Sequence, residues 1–253
     1  MKKKMVAAIM CITLGITSLA GCGKADPKES LGAMLEKDYD NMDMELSVRM
    51  NMDVAGEQMT LPADIKTKFV HANSKDMRME GQISMELQGE KLDIGMYYAD
   101  GYYYMDMAGV KIKYPMDIID LEEKLGDSFR IQNVSANMLD EVTLEENGDT
   151  QIFSFKAKTD SETNELLTDI LTLVYDHGDR DVDYEYSDIQ GGATAKDGEL
   201  QQIDMSFSLS VTIDGKETKS TAETVTKINA TGDSVTVTAP NPDEYTEVSA
   251  EDM

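Results

Sequence analysis

The chain has no tryptophan, only two histidines, two cysteines and five prolines among 253 residues. Each shortage closes off a class of function. A hydrolytic triad needs a histidine held between a nucleophile and a carboxylate. Ser74 lies near His71 but in an apparent loop, nothing else points to a triad at His71 or His177, and no G-x-S-x-G string occurs. The absence of tryptophan removes the usual stacking platform of sugar-cleaving enzymes. Basic residues are scarce too: 23 Lys and Arg face 49 Asp and Glu, a formal net charge of −26. Nucleic-acid binding needs a basic face to displace phosphate counterions, so it is excluded. Electrostatic docking on an anionic bilayer is disfavoured for the same reason.

Long apolar runs are also missing, except at the start. "MKKKMVAAIMCITLGITSLAGCGK" has a basic opening (Lys2, Lys3, Lys4), an apolar stretch to about Ala20, and Leu19-Ala20-Gly21-Cys22 at its end. The stretch is too short for a membrane-spanning helix. The closing string resembles a bacterial lipobox, which implies cleavage before Cys22 and lipidation of its thiol. Residues 1–21 are then a lipoprotein signal peptide, and 22–30 a lipidated tether. Cys11 leaves with the signal, so no disulfide framework remains. The expected location is the cell membrane, lipid-anchored on its extracytoplasmic face. Two or more acyl chains hold firmly, because each buried CH₂ contributes about 0.8 kcal/mol.

What the chain has in abundance is methionine and alternation. In "MDMELSVRMNMDV", residues 42–54, Met42, Met44, Met50 and Met52 share the even positions with Leu46, Val48 and Val54, while odd positions are polar. Period-2 alternation puts the even residues on one face of a strand. Residues 63–71, 77–88, 92–98, 102–107 and 110–114 continue as strands. Asp100-Gly101 and Ala108-Gly109 suit tight hairpins. The polar second face argues for an antiparallel meander. Further strands are expected at 141–146, 151–158, 181–187, 199–213, 217–229 and 234–238. Helices are expected near 27–38 (capped by Asp26, with Pro27 in the first turn), 116–127 and 161–174. Residues 128–140 are ambiguous. No linker interrupts the middle, so 31–242 reads as one domain and 243–253 as a frayed acidic tail.

Two metal readings are weak. "DHGDRDVDYE" (176–185) lacks the glycine and glutamate of a calcium loop, and alternation places Asp179, Asp181, Asp183 and Glu185 on a solvated strand face. The pairs Met42/Met44, Met50/Met52, Met77/Met79 and Met105/Met107 could suit Cu(I). They lack histidine or cysteine, and Leu, Val and Ile take equivalent positions. A metal site would not treat Met and Leu as interchangeable; a core or lipid pocket would. No cofactor, metal or catalytic residue is expected, and no enzymatic activity.

Twelve of the 19 methionines fall between Met42 and Met116. Methionine is flexible and polarizable, which suits a surface that repacks around variable partners. Six of the 11 tyrosines crowd Tyr97 to Tyr114.

The layout of lipobox, Leu31–Leu35 helix leading into 42–54, "YYADGYYYMDMAGVKIKYP" hairpins at 97–115 and helix at 161–174 resembles the LolA/LppX-like bacterial lipoproteins. The resemblance implies an α+β fold: a single strongly curved antiparallel β-sheet, an unclosed half-barrel, with helices packed on its concave face. It also implies a cavity for a hydrophobic or lipid-like ligand and no chemistry on it. The expected cavity face is Met44, Met50, Met52, Met77, Met79, Met85, Met96, Met105, Met107, Leu167, Ile170, Leu171, Met205 and Phe207. The alternative is an envelope scaffold or sensor that binds protein or cell-wall partners without a small ligand.

Overall fold

The computed structural model describes residues 26–54, 57–72, 74–87, 89–125, 135–174, 182–213 and 216–249. The expected signal peptide, residues 1–21, and Cys22 lie outside them, as do Asp179 and Asp181. Helix α1 (Pro27–Leu35) starts as its sequence demands. Asp26 Oδ1 accepts from the Lys28 amide at 2.9 Å, and Pro27 fills the first turn.

Six strands follow as a meander: β1 (Met42–Val54), β2 (Glu57–Val70), β3 (Arg78–Leu87), β4 (Glu90–Ala99), β5 (Tyr102–Met107) and β6 (Val110–Pro115). Asp100-Gly101 and Ala108-Gly109 have positive φ at both turn positions, as two-residue hairpins require. Next come α2 (Ile118–Leu125), a 3-10 turn at Ala136–Met138, β7 (Leu139–Asn147), β8 (Thr150–Ala157) and α3 (Ser161–Val174). Asp117 caps α2 through the Ile119 and Asp120 amides. Asp160 caps α3 through the Thr163 amide and hydroxyl, hydrogen bonds that hold its carboxyl below the usual range. A second meander closes the chain: β9 (Val182–Lys196), β10 (Glu199–Ile213) and β11 (Lys216–Thr231).

All strands join one sheet in the order β12-β6-β5-β4-β3-β2-β1-β11-β10-β9-β8-β7. Here β12 is Thr246–Glu247. The two meanders meet at the antiparallel β1·β11 pair. This corrects the expected strongly curved, wholly antiparallel half-barrel. The sheet is large, open and mixed, with β12 parallel to β6. The physical reason lies in the register. Strong curvature is built with bulges and glycine kinks. The pairs from β1·β2 to β5·β6 run without a register shift. Among the described residues, shifts occur in β1·β11, β10·β9 and β7·β8.

Helix α1 packs on β7, β10 and the 3-10 turn, and α3 on β9. Gly32 is needed there, since a Cβ would collide with the Ala136 side chain. Among the described residues no helix is long and apolar enough to cross a membrane.

Residues 243–249 are not a loose tail. Tyr245 is buried and meets Tyr104 edge-on at 5.1 Å. Lys111 Nζ bonds Glu244 at 2.7 Å, and the Val248 amide donates to the Lys113 carbonyl at 2.9 Å.

Candidate functional site

Strand registry puts the methionines on one face. Met44 lies opposite Thr67 on β2, Met50 opposite Leu61 and Met52 opposite Met59. Phe69 lies opposite Met79 and Ala63 opposite Met85. Met79 pairs with Tyr98, which pairs with Tyr103 and then Tyr114. Met96 pairs with Met105, and Ile94 with Met107. On the other side, Met50 faces Ala222, which faces Phe207, and Thr224 faces Met205. Met77 precedes β3 and packs half-buried against the same core. Leu167 and Leu171 reach that core from α3; the Ile170 side chain lies outside the described ones.

These residues share a face, not a pocket. Six strand steps separate Met105 on β5 from Phe207 on β10, ~29 Å at about 4.8 Å per step. They form two patches. Under α3 the patch is a filled core: Phe207 is 3% exposed, Leu171 1%. Tyr186 stacks edge-on to Phe207 at 5.6 Å, and its hydroxyl bonds Thr168 Oγ1 at 2.8 Å. Burial pushes the Tyr186 pKa up to about 12, against the opposing pull of the Thr168 bond.

The other patch, on β2 to β6, is graded. One end is closed: Met79, Tyr98, Tyr103 and Tyr114 are buried, and so are Met44 and Met96. Burial raises the Tyr103 pKa strongly, with the Tyr114 hydroxyl adding to it. Towards the opposite margin the face opens. Met52, Met85, Ile94 and Met105 are half-buried, and Met59, Met107 and Val110 are 38, 43 and 63% exposed. Met107 therefore belongs to the rim and not to an enclosed wall.

Sequence reading missed two residues of this patch. Met59 stands in the part of β2 before Pro62, which the expected strand 63–71 left out. The alternation Met59, Leu61, Ala63, Ile65 was the available signal. Thr67 is the second. It is 1% exposed, it interrupts the apolar parity of β2 between Ile65 and Phe69, and its Oγ1 has no hydrogen-bond partner. In register it sits between Met44 and Gly81. Gly81 leaves a notch that the Met96 side chain fills, its Cε lying 3.2 Å from where a Cβ would be.

The tyrosine cluster divides by parity. Tyr98, Tyr103 and Tyr114 enter the core, whereas Tyr102 and Tyr104 lie on the opposite face, 6.3 Å apart, under Tyr245 and Lys113. That opposite face also bears two grooves, of about 700 and about 570 Å³, across β2-β1-β11-β10-β9 and β11-β10-β9-β8-β7. Among the described residues no three His, Cys, Asp or Glu side chains converge to hold a metal ion.

The class is thus an α+β protein built on one open mixed sheet, with a methionine-lined apolar face and a polar reverse. The chain belongs to DUF6612, a family of unknown function, whose model matches residues 33–183. None of the curated proteins matches it. Among solved structures it is similar to LprF from Mycobacterium bovis, at 10% identity, 85% of this chain, 96% of that one and a TM-score of 0.43. It is also similar to the ywiB protein from Bacillus subtilis, at 9%, 76%, 94% and 0.27. A LolA superfamily protein from Nitrosomonas europaea gives 8%, 82%, 94% and 0.26.

Proposed function

We propose that this is a lipid-anchored envelope protein that holds an amphipathic, lipid-like ligand against the methionine face of β2 to β6 without altering it chemically. The observation that carries the reading is the open apolar margin, with Met59 38% and Met107 43% exposed beside Val110. Methionine adapts to irregular apolar shapes at little cost. Thr67 supports the same reading. An unpaired buried hydroxyl costs about 1–3 kcal/mol, and a ligand headgroup reaching past Met44 and Met96 would satisfy it. The lipobox at Cys22 supports anchoring at the extracytoplasmic face of the cell membrane. The second reading, an envelope scaffold or sensor, draws its support from the α3 half, where Leu167, Leu171 and Phe207 are buried as fixed core.

The test is native mass spectrometry of the full chain carrying Cys22→Ser, which removes the acyl anchor as a source of bound lipid. Lipid-mass adducts and binding of a fluorescent fatty acid are expected. A Met59→Lys, Met107→Lys double variant should weaken that binding about tenfold. Ligand-free protein that ignores the probe, or binding unchanged in the double variant, would sink the idea.

A further inference from the structure

We infer that the polar reverse of the sheet carries a second site, for an uncharged, hydroxyl-rich polymer, a glycan strand, lying across β2, β1, β11, β10 and β9. The first observation is the groove of about 700 Å³ there. The second is the registry within it. Thr60 pairs with Asn51, Asn51 with Thr221, Thr221 with Ser208, and Ser208 with Ser187. Five neutral hydroxyl or amide side chains thus form one unbroken row, ~19 Å long at about 4.8 Å per strand. The same face of β10 continues the theme lengthwise with Ser206, Ser210 and Thr212.

This neutrality is local. In the next row Arg49 lies opposite Glu223, and further along β1 Glu45 and Lys66 pair at 3.3 Å. In a chain of net charge −26, an uncharged row across five strands is a departure from the rest of the surface. Its chemistry selects the occupant. Hydroxyls and amides both donate and accept, which matches sugar hydroxyl and acetamido groups. Glu185 and Glu217 beside the row are acceptors only when ionised. Glu217 stays ionised below the usual range, because Ser210 Oγ donates to it at 2.8 Å and Lys219 lies 3.6 Å away. These carboxylates accept hydrogen bonds from sugar hydroxyls and repel an anionic polymer. The row faces away from the methionine face, and the groove meets that face only at its margin, where Met52 and Met59 also line it.

The experiment titrates the full Cys22→Ser chain with a tetramer of β-1,4-linked N-acetylglucosamine, followed by calorimetry and by amide NMR shifts. Millimolar or tighter binding is expected, with the largest shifts at Asn51, Ser187, Ser208 and Thr221. Ser208→Glu with Thr221→Glu puts charge into the row at surface positions. It should weaken binding at least tenfold while the fatty-acid probe signal stays unchanged, and Ser208→Ala with Thr221→Ala, which adds no charge, should weaken it in the same direction. That unchanged probe signal separates this site from the lipid reading. No binding of the tetramer, shifts confined to other faces, equal binding of oligogalacturonate, or an unaffected double variant would each overturn the proposal.

Discussion

Thr67 shows how much a single side chain can say. The sheet face around it is apolar, and its hydroxyl is buried without a partner. Replacing such a hydroxyl by a methyl of the same shape removes an unpaid desolvation cost of about 1–3 kcal/mol. Thr67→Val is therefore expected to raise the melting temperature, by about 2–4 °C per kcal/mol for a chain of this size. Thermal unfolding followed by circular dichroism checks it. A lower melting temperature would mean that the hydroxyl is satisfied within the fold. Under the proposed function the same variant binds the fatty-acid probe more weakly, so stability and binding move in opposite directions. At this scale the sequence was legible in kind: alternation placed Met44, Met79 and Phe207 on one buried face. It could not say that Met107 would stand at the rim, because exposure there depends on which strands end beside it.

Elements were legible where local chemistry agrees with the fold, and hidden where a distant partner dictates it. Helix α3 follows its apolar spacing from Ser161 to Val174, and the Asp-Gly hairpin falls where its turn residues put it. Strand β9 does not stop at residue 187 but runs to Lys196, through Gly191-Gly192. In sequence that pair reads as a break. In the sheet Gly191 lies opposite Phe155, and a Cβ there would run into the Phe155 ring and the Asp204 carbonyl. The glycines make room for a neighbour that local sequence does not reveal. Likewise β12 forms because Tyr245 finds Tyr104 and Lys111, more than 130 positions away. The junction of α3 with β9 gives a pH prediction. Tyr186 has its pKa raised to about 12 by burial, so the folded state favours the neutral phenol. An unfolded tyrosine ionises near 10. Its contribution is therefore complete below about pH 10 and is lost as pH rises towards 12. Alkaline titration by circular dichroism should show unfolding in that window. Tyr186→Phe should move the midpoint upward, despite losing the Thr168 bond; a midpoint that falls would assign the alkaline transition to other groups, Tyr103 first among them.

At the scale of the whole molecule, the sheet is two meanders held together at one seam, β1·β11, in a chain of formal net charge −26. The seam rows are buried: Val48 faces Thr224 and Met50 faces Ala222. Because the apolar face is continuous through them, neither meander has a complete core alone, and unfolding is expected to be a single transition. Charge acts on that transition as a whole. The described ion pairs are mostly between exposed side chains, as with Lys66–Glu45 and Lys156–Glu141, and such pairs contribute about 0–1 kcal/mol each. Against them stands the self-repulsion of 49 acidic side chains matched by only 23 basic ones. Screening weakens both, but the repulsion is the larger sum and the longer in range, since the Debye length falls from about 30 Å at 0.01 M salt to about 10 Å at 0.1 M. Raising sodium chloride from 0.01 to 0.3 M should therefore raise the melting temperature by several degrees while leaving one cooperative step. Calorimetry at the two ionic strengths decides it. A lower melting temperature in salt would mean that the ion pairs outweigh the net charge, and two resolved transitions would mean that the meanders fold apart and that the β1·β11 seam does not couple them.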